Sequence, residues 1–121
     1  MSLNPENKDP AYLCGRLFAV YEKIQQDSSG GDLNRTIKDS YFTSACARPS
    51  AIMTKLSQLA QNHLRKLEDK TKIYYNKLIA EIMDGLEGAF PQTLDLDSQG
   101  KFIVGYYQQN KMLYTSRKSE N

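Results

Sequence analysis

The sequence predicts an all-α fold, a single bundle of about five helices over residues 1–121. Two observations carry this. Apolar residues recur at three- and four-residue spacing along most of the chain. Short runs rich in Gly, Pro and Asp break that periodicity into segments of helix length. Amphipathic helices joined by short links bury their apolar faces against one another.

The first helix begins at "KDPAYL", with Asp9 as cap and Pro10 at the first helical position, where its missing N–H costs nothing. Leu13, Leu17, Val20, Tyr21 and Ile24 continue it. "DSSGGD", Asp27 to Asp32, ends it and supplies a flexible link. A second helix is expected near Leu33 to Ala45, with Leu33, Ile37, Tyr41 and Ala45 on one side. Pro49 disfavours helical geometry at Arg48 and opens a third helix, about Pro49 to Asp69. The fourth runs from about Thr71 to Leu86, with Tyr75, Leu78, Ile79, Ile82 and Leu86 inward. "GLEG" ends it and "GAFPQT" turns the chain. Asp95 caps a fifth helix that reaches roughly Tyr114, with Phe102, Ile103, Tyr106 and Tyr107 as its apolar side. The ends, about 1–8 and 115–121, are expected to be loose.

Composition narrows the function. The chain is 40% hydrophobic and 25% charged, ordinary globular values. Its net charge of +2 is too near neutral to demonstrate a polyanionic partner, so charge placement must decide. Cys14 and Cys46 lie far apart and read as free, buried thiols of a reducing compartment, with one disulfide between them as the alternative. One histidine and two distant cysteines are too few soft ligands for zinc, and no metal or cofactor is expected. No run approaches the roughly 18 apolar residues of a membrane helix. The N-terminus lacks the apolar run of a signal peptide. A soluble, cytoplasmic protein is expected.

The lone histidine invites a catalytic reading. On a helical wheel, however, His63 lies beside Leu56 and Leu67, among Ile52, Leu59 and Ala60. That is the place of a packed histidine with one hydrogen-bond partner. No nucleophile motif accompanies it. Glu81, Asp84 and Glu87 read as solvent-facing acids. No enzyme is expected.

The opposite face of the third helix differs. Lys55, Gln58, Asn62, Arg65 and Lys66 share a sector of about 100°. Cations attract phosphates, and amides add donors to phosphate and sugar oxygens. Lys70 and Lys72 extend the basic character, and Arg16, Arg35, Lys38 and Arg48 add to it in the first half. These eleven residues are the candidate nucleic-acid contacts. The competing reading is a solvated charged face. Tyr74, Tyr75, Tyr106, Tyr107 and Tyr114 could stack on unpaired bases. For Tyr75, Tyr106 and Tyr107 the favoured reading is core, with the hydroxyl at the rim.

Four segments carry a family resemblance: "DPAYLCGRLFAVYEKIQ", "TIKDSYFTSACARP", "LAQNHLRKL" and "FPQTLDLDSQGKFIVGYYQQ". In order and spacing they resemble the C-terminal part of the large subunit of the type I-C CRISPR Cascade complex. In that family this helical region is also made separately, as the small subunit, which a chain of this length resembles. An isolated fragment of the large subunit would look the same. The resemblance implies a non-catalytic role in antiviral defence. Its implied partners are the Cascade backbone and large subunits, further copies of itself, target DNA and the displaced strand, and the guide RNA indirectly. Guide pairing reads sequence in such complexes, so the protein needs only backbone contacts. A purely structural protein–protein adaptor is the alternative.

Overall fold

A computed structural model describes residues 3–31 and 33–120, with side chains given through Thr115. Five helices follow in order: α1 (Pro10–Ser28), α2 (Ile37–Ala47), α3 (Pro49–Leu64), α4 (Asp69–Gly85) and α5 (Leu96–Glu120). No strand occurs among the described residues. The all-α expectation holds.

The α1 helix starts as its sequence dictates. The Asp9 carboxylate accepts from Ala11 N at 2.9 Å, and Pro10 follows. It ends where Gly30 and Gly31 take positive φ, which lets Gly31 N reach Gln26 O at 2.9 Å and close a Schellman-type end. Every residue from Ala11 to Ile24 is buried, on all sides of the helix. α1 is therefore the axis of the fold. It packs against α2, α3, α4 and, over its longest interface, α5.

Contacts between α1 and α5 progress in the same direction along both helices. Asp9 meets Lys101, Tyr12 meets Gln108, Arg16 meets Gln109, and Lys23 lies over Tyr114. The two helices run parallel and nearly touch. A Cβ on Gly15 would fall 1.9 Å from Phe102 O, and one on Gly105 would fall 2.2 Å from Tyr12 O. Around this crossing Phe18, Phe42, Phe102 and Tyr106 pack edge to face.

Three boundaries differ from expectation. α2 begins at Ile37 rather than Leu33, because Thr36 and Asp39 form a capping box. Asp39 Oδ2 accepts from Thr36 N at 2.8 Å. Leu33 is left exposed before the helix; Asp32, part of the expected link, lies outside the described residues. α3 stops at Leu64, not Asp69. Lys66 N and Leu67 N turn back to His63 O and Leu64 O, which tucks Leu67 against the core. α5 continues to Glu120, past the expected end near Tyr114. The loose tail expected at 115–121 falls mostly outside the described side chains.

The α4 end is left-handed at two successive residues, Glu87 (φ 56°) and Gly88 (φ 75°). Gly88 N bonds Met83 O at 3.0 Å, and Glu87 N bonds Asp84 O at 3.0 Å. The following loop is tied to the α2–α3 junction by Ser50 N to Pro91 O (2.9 Å) and Leu94 N to Ala47 O (3.0 Å).

Candidate nucleic-acid interface

α3 buries Met53, Leu56, Ala60 and Leu64, at i, i+3, i+7 and i+11. This choice of buried edge turns Lys55, Gln58 and Asn62 outward; Arg65 and Lys66 follow the last residue of α3, and all five are exposed. Among the described residues none of the three cations makes an ion pair. Lys55 Nζ lies 5.1 Å from the centroid of the Tyr41 ring, which steadies it without neutralising it. Arg65 and Lys66 stand at the C-terminal end of α3, where the helix dipole favours positive charge. The end of α3 therefore favours two of the three cations, Arg65 and Lys66, for local reasons as well.

Lys70 and Lys72 fall on the first turn of α4 instead of continuing α3. Lys70 is exposed. Lys72 Nζ lies 3.7 Å from Asp69, a contact worth little at an exposed carboxylate. Arg35 and Arg48 are exposed in the connections on either side of α2.

Two candidates do not present themselves to a polymer. Arg16 is 6% exposed. It points from α1 into the bundle and donates from Nε to Gln109 Oε1 at 2.8 Å. Burial pulls its pKa below the usual value, while Tyr12 and Glu81 act in the opposite sense. The Arg16 assignment is corrected accordingly: on an all-round buried helix, a wheel position cannot signal exposure. Lys38 is half-buried. Its Nζ donates to Tyr107 Oη at 2.9 Å and lies 4.8–5.5 Å from the ring centroids of Phe42, Tyr106 and Tyr107. Its charge is already held by aromatic faces.

His63 is half-buried at the edge of the α3 core stripe, next to Leu64. Its Nδ1 lies 3.2 Å from Ser28 Oγ. That hydroxyl's single proton is directed to Gln25 O at 2.9 Å. Ser28 therefore accepts from His63, which places the neutral imidazole's proton on Nδ1. Burial, and then the nearby Lys66 charge, lower its pKa. The packed histidine with one partner is what the structure contains.

Buried polar groups join the helices behind the site. The Glu22 carboxylate accepts from Thr36 Oγ1 at 2.5 Å and from the Tyr106 hydroxyl. Burial, and then that bond to Glu22, raise the Tyr106 pKa. Lys23 Nζ bonds Asp27 at 2.8 Å, and Asp27 also receives the Tyr75 hydroxyl. Tyr75 and Tyr106 are thus core residues, as expected, but the Tyr106 hydroxyl is bonded inside the bundle and not at its rim. Tyr107 and Ile103 are not core residues: they are 51% and 39% exposed. The buried edge of α5 is Phe102, Tyr106, Gln109 and Leu113. The sequence hides it, because a polar Gln109 sits in the stripe while Ile103 and Tyr107 stand beside it. The signal for the true edge was the glycine Gly105, needed for close approach to α1.

An open depression of about 700 Å³ lies between residues 4–7 and α5, lined in part by Tyr12, Gly100, Lys101 and Val104. None of the sequence-predicted site residues lines it. Among the described residues no group of three or more His, Cys, Asp or Glu side chains could hold a metal ion, and no helix is long and apolar enough to cross a membrane.

A compact all-α bundle with an exposed cationic helix face is a class shared by many binding modules. The comparison with protein families narrows it: a family model described as CRISPR-associated protein (Cas_Csd1) matches residues 1–114. The chain belongs to this CRISPR-associated family. A comparison with curated proteins gives no significant match.

Proposed function

We propose that this chain is the non-catalytic small subunit of a type I-C Cascade complex, and that the outer face of α3 holds nucleic-acid backbone. The observation that carries the reading is the row Lys55, Gln58 and Asn62 on α3 with Arg65 and Lys66 just past its end: all exposed, with the cations in no ion pair among the described residues. Membership in a CRISPR-associated family supports it. Such a face neutralises phosphates one at a time and reads no sequence. Lys70 and, at the edges, Arg35 and Arg48 extend it. Target DNA and the displaced strand are the proposed ligands, with guide pairing as the source of specificity. The large and backbone subunits are the proposed protein partners, and the cytoplasm the proposed compartment.

Replacing Lys55, Arg65 and Lys66 together with alanine tests this. Target-DNA binding by Cascade carrying the variant is expected to weaken. Its salt dependence should become shallower, by about one unit of slope for each phosphate that the variant leaves unneutralised. Binding as tight as wild type, with the same salt slope, rejects the assigned face.

A second reading, a protein–protein adaptor without nucleic-acid contact, is favoured by the apolar side chains exposed on α5. A salt titration of single-stranded DNA binding separates the two. Absence of binding at low salt selects the adaptor.

A further inference from the structure

The depression between residues 4–7 and α5 is a groove with two walls. Its α5 wall is a single stripe at helical spacing, Asp97, Gly100, Lys101, Val104 and Gln108. At 1.5 Å per residue this stripe runs about 16 Å. The other wall runs alongside it in the opposite direction. Asn4 N donates to Tyr12 Oη at 3.0 Å, and Tyr12 Oη donates to Gln108 Oε1 at 2.6 Å. Toward the far end, Lys101 Nζ bonds Asp9 at 3.1 Å.

Three carboxamides line the groove, and the oxygen of each is already engaged. Asn4 Oδ1 accepts from Glu6 N at 3.0 Å, Asn7 Oδ1 from Asp9 N at 2.9 Å, and Gln108 Oε1 from Tyr12. Those bonds fix which end of each amide is oxygen. The three NH2 groups make no hydrogen bond among the described residues. Charge is divided in a similar way. Lys101 is engaged by Asp9, whereas Asp97 is exposed and in no ion pair among the described residues. Between the polar ends Val104 is 41% exposed, and a Cβ at Gly100 would meet only open space.

Spare amide donors match main-chain carbonyls, and a spare carboxylate matches a cation. We propose that this groove holds an extended peptide segment of a protein partner, with an apolar side chain on Gly100 and Val104 and a Lys or Arg two residues away, toward Asp97. About five residues of extended chain span the length of the stripe. Side chains two residues apart share a face about 7 Å apart, and Val104 and Asp97 lie about 10 Å apart along the helix. A long basic side chain closes the difference. The carboxylates of Asp9 and Asp97 disfavour a phosphate backbone in the same place. The groove shares no residue with the α3 face, so either proposal can fail alone.

An NMR titration of the isotope-labelled chain tests the inference. The probes are end-blocked peptides Gly-Φ-Ser-Lys-Gly, in which Φ is Val, Leu, Ile, Met or Phe. At least one is expected to shift the side-chain NH2 signals of Asn4, Asn7 and Gln108 saturably. Asp97→Lys is expected to weaken that binding about threefold or more, and to favour the same peptide with Glu in place of its Lys. Gly100→Leu fills the floor at a position open to a side chain. It is expected to abolish binding while leaving the circular dichroism spectrum unchanged. No saturable shift with any of these peptides overturns the proposal. So does binding indifferent to either variant. An oligothymidylate that produces the same shifts overturns it as well, and gives the groove to nucleic acid.

Discussion

Gly105 on α5 lies so close to Tyr12 on α1 that a methyl group at Gly105 would come within 2.2 Å of the Tyr12 carbonyl oxygen. Gly100, five residues earlier on the same helix, faces open space. The same substitution therefore has opposite consequences at the two sites. Gly105→Ala should cost about 1–3 kcal/mol by forcing the helices apart. Gly100→Ala should gain about 0.5–1 kcal/mol from helix propensity. Urea denaturation of both variants at low protein concentration checks the pair. Equal effects would show that the crossing is looser than described.

Thr36 has two duties. Its hydroxyl accepts from Lys38 N at 3.2 Å, as the α2 cap, and donates to the buried Glu22 carboxylate. Thr36→Ala removes the cap and one donor from a buried charge. The expected loss is about 2 kcal/mol or more, with Thr36→Ser recovering most of it. Denaturation midpoints of the two variants decide this. Failure of serine to rescue would place the effect in the threonine methyl.

His63 predicts a pH dependence. Its folded pKa lies below the ordinary 6.5, chiefly through burial. The folded state therefore binds protons less readily than the unfolded chain. The associated stability is fully present above about pH 6.5 and is lost as pH falls through the lowered folded value. Wild type should be less stable at about pH 5.5 than at about pH 7.5, and His63→Asn should show a smaller difference. Equal pH differences in the two proteins would exclude this histidine as a cause.

The two thiols should be inert in the folded chain. Burial pushes Cys14 up to about 12, with the Asp9 charge adding to it, and burial raises Cys46 as well. Ellman's reagent should label neither at neutral pH until the protein unfolds, then label both. Cys14, with no exposed surface, should be the slower of the two under partial denaturation. Rapid native labelling would contradict the packing of α1.

The helices were legible in the sequence because their ends are written in short-range chemistry. Asp9-Pro10, Gly30-Gly31 and Arg48-Pro49 act within a few residues. So was the outward turn of Lys55 and Asn62, although the buried edge of α3 is Met53, Leu56, Ala60 and Leu64 and not the stripe of Ile52, Leu56, Leu59, Ala60 and Leu67 read from the wheel. What escaped depends on neighbours distant in sequence. Arg16 reads as a surface cation until Gln109, 93 residues away, is seen to bond it. Lys38 reads as free until three rings gather round its ammonium. Ile103 and Tyr107 read as core because α5 carries apolar residues on both sides, and a wheel cannot say which side meets α1. The start of α2 was misplaced for a nearer reason: the Thr36–Asp39 box outweighed a weak apolar periodicity beginning at Leu33.

The all-round burial of α1 has a bearing on biosynthesis. Of the five helices α1 leaves the ribosome before the others, and α5, its most extensive neighbour, follows after them. Until then, one side of the most apolar helix has nothing to lie against. The nascent chain must carry that exposed strip until α5 has been made, within reach of chaperones and other growing chains. Stop codons before α5 should accordingly yield insoluble or rapidly degraded products rather than a smaller folded protein. The folding of α1 waits on the completion of α5.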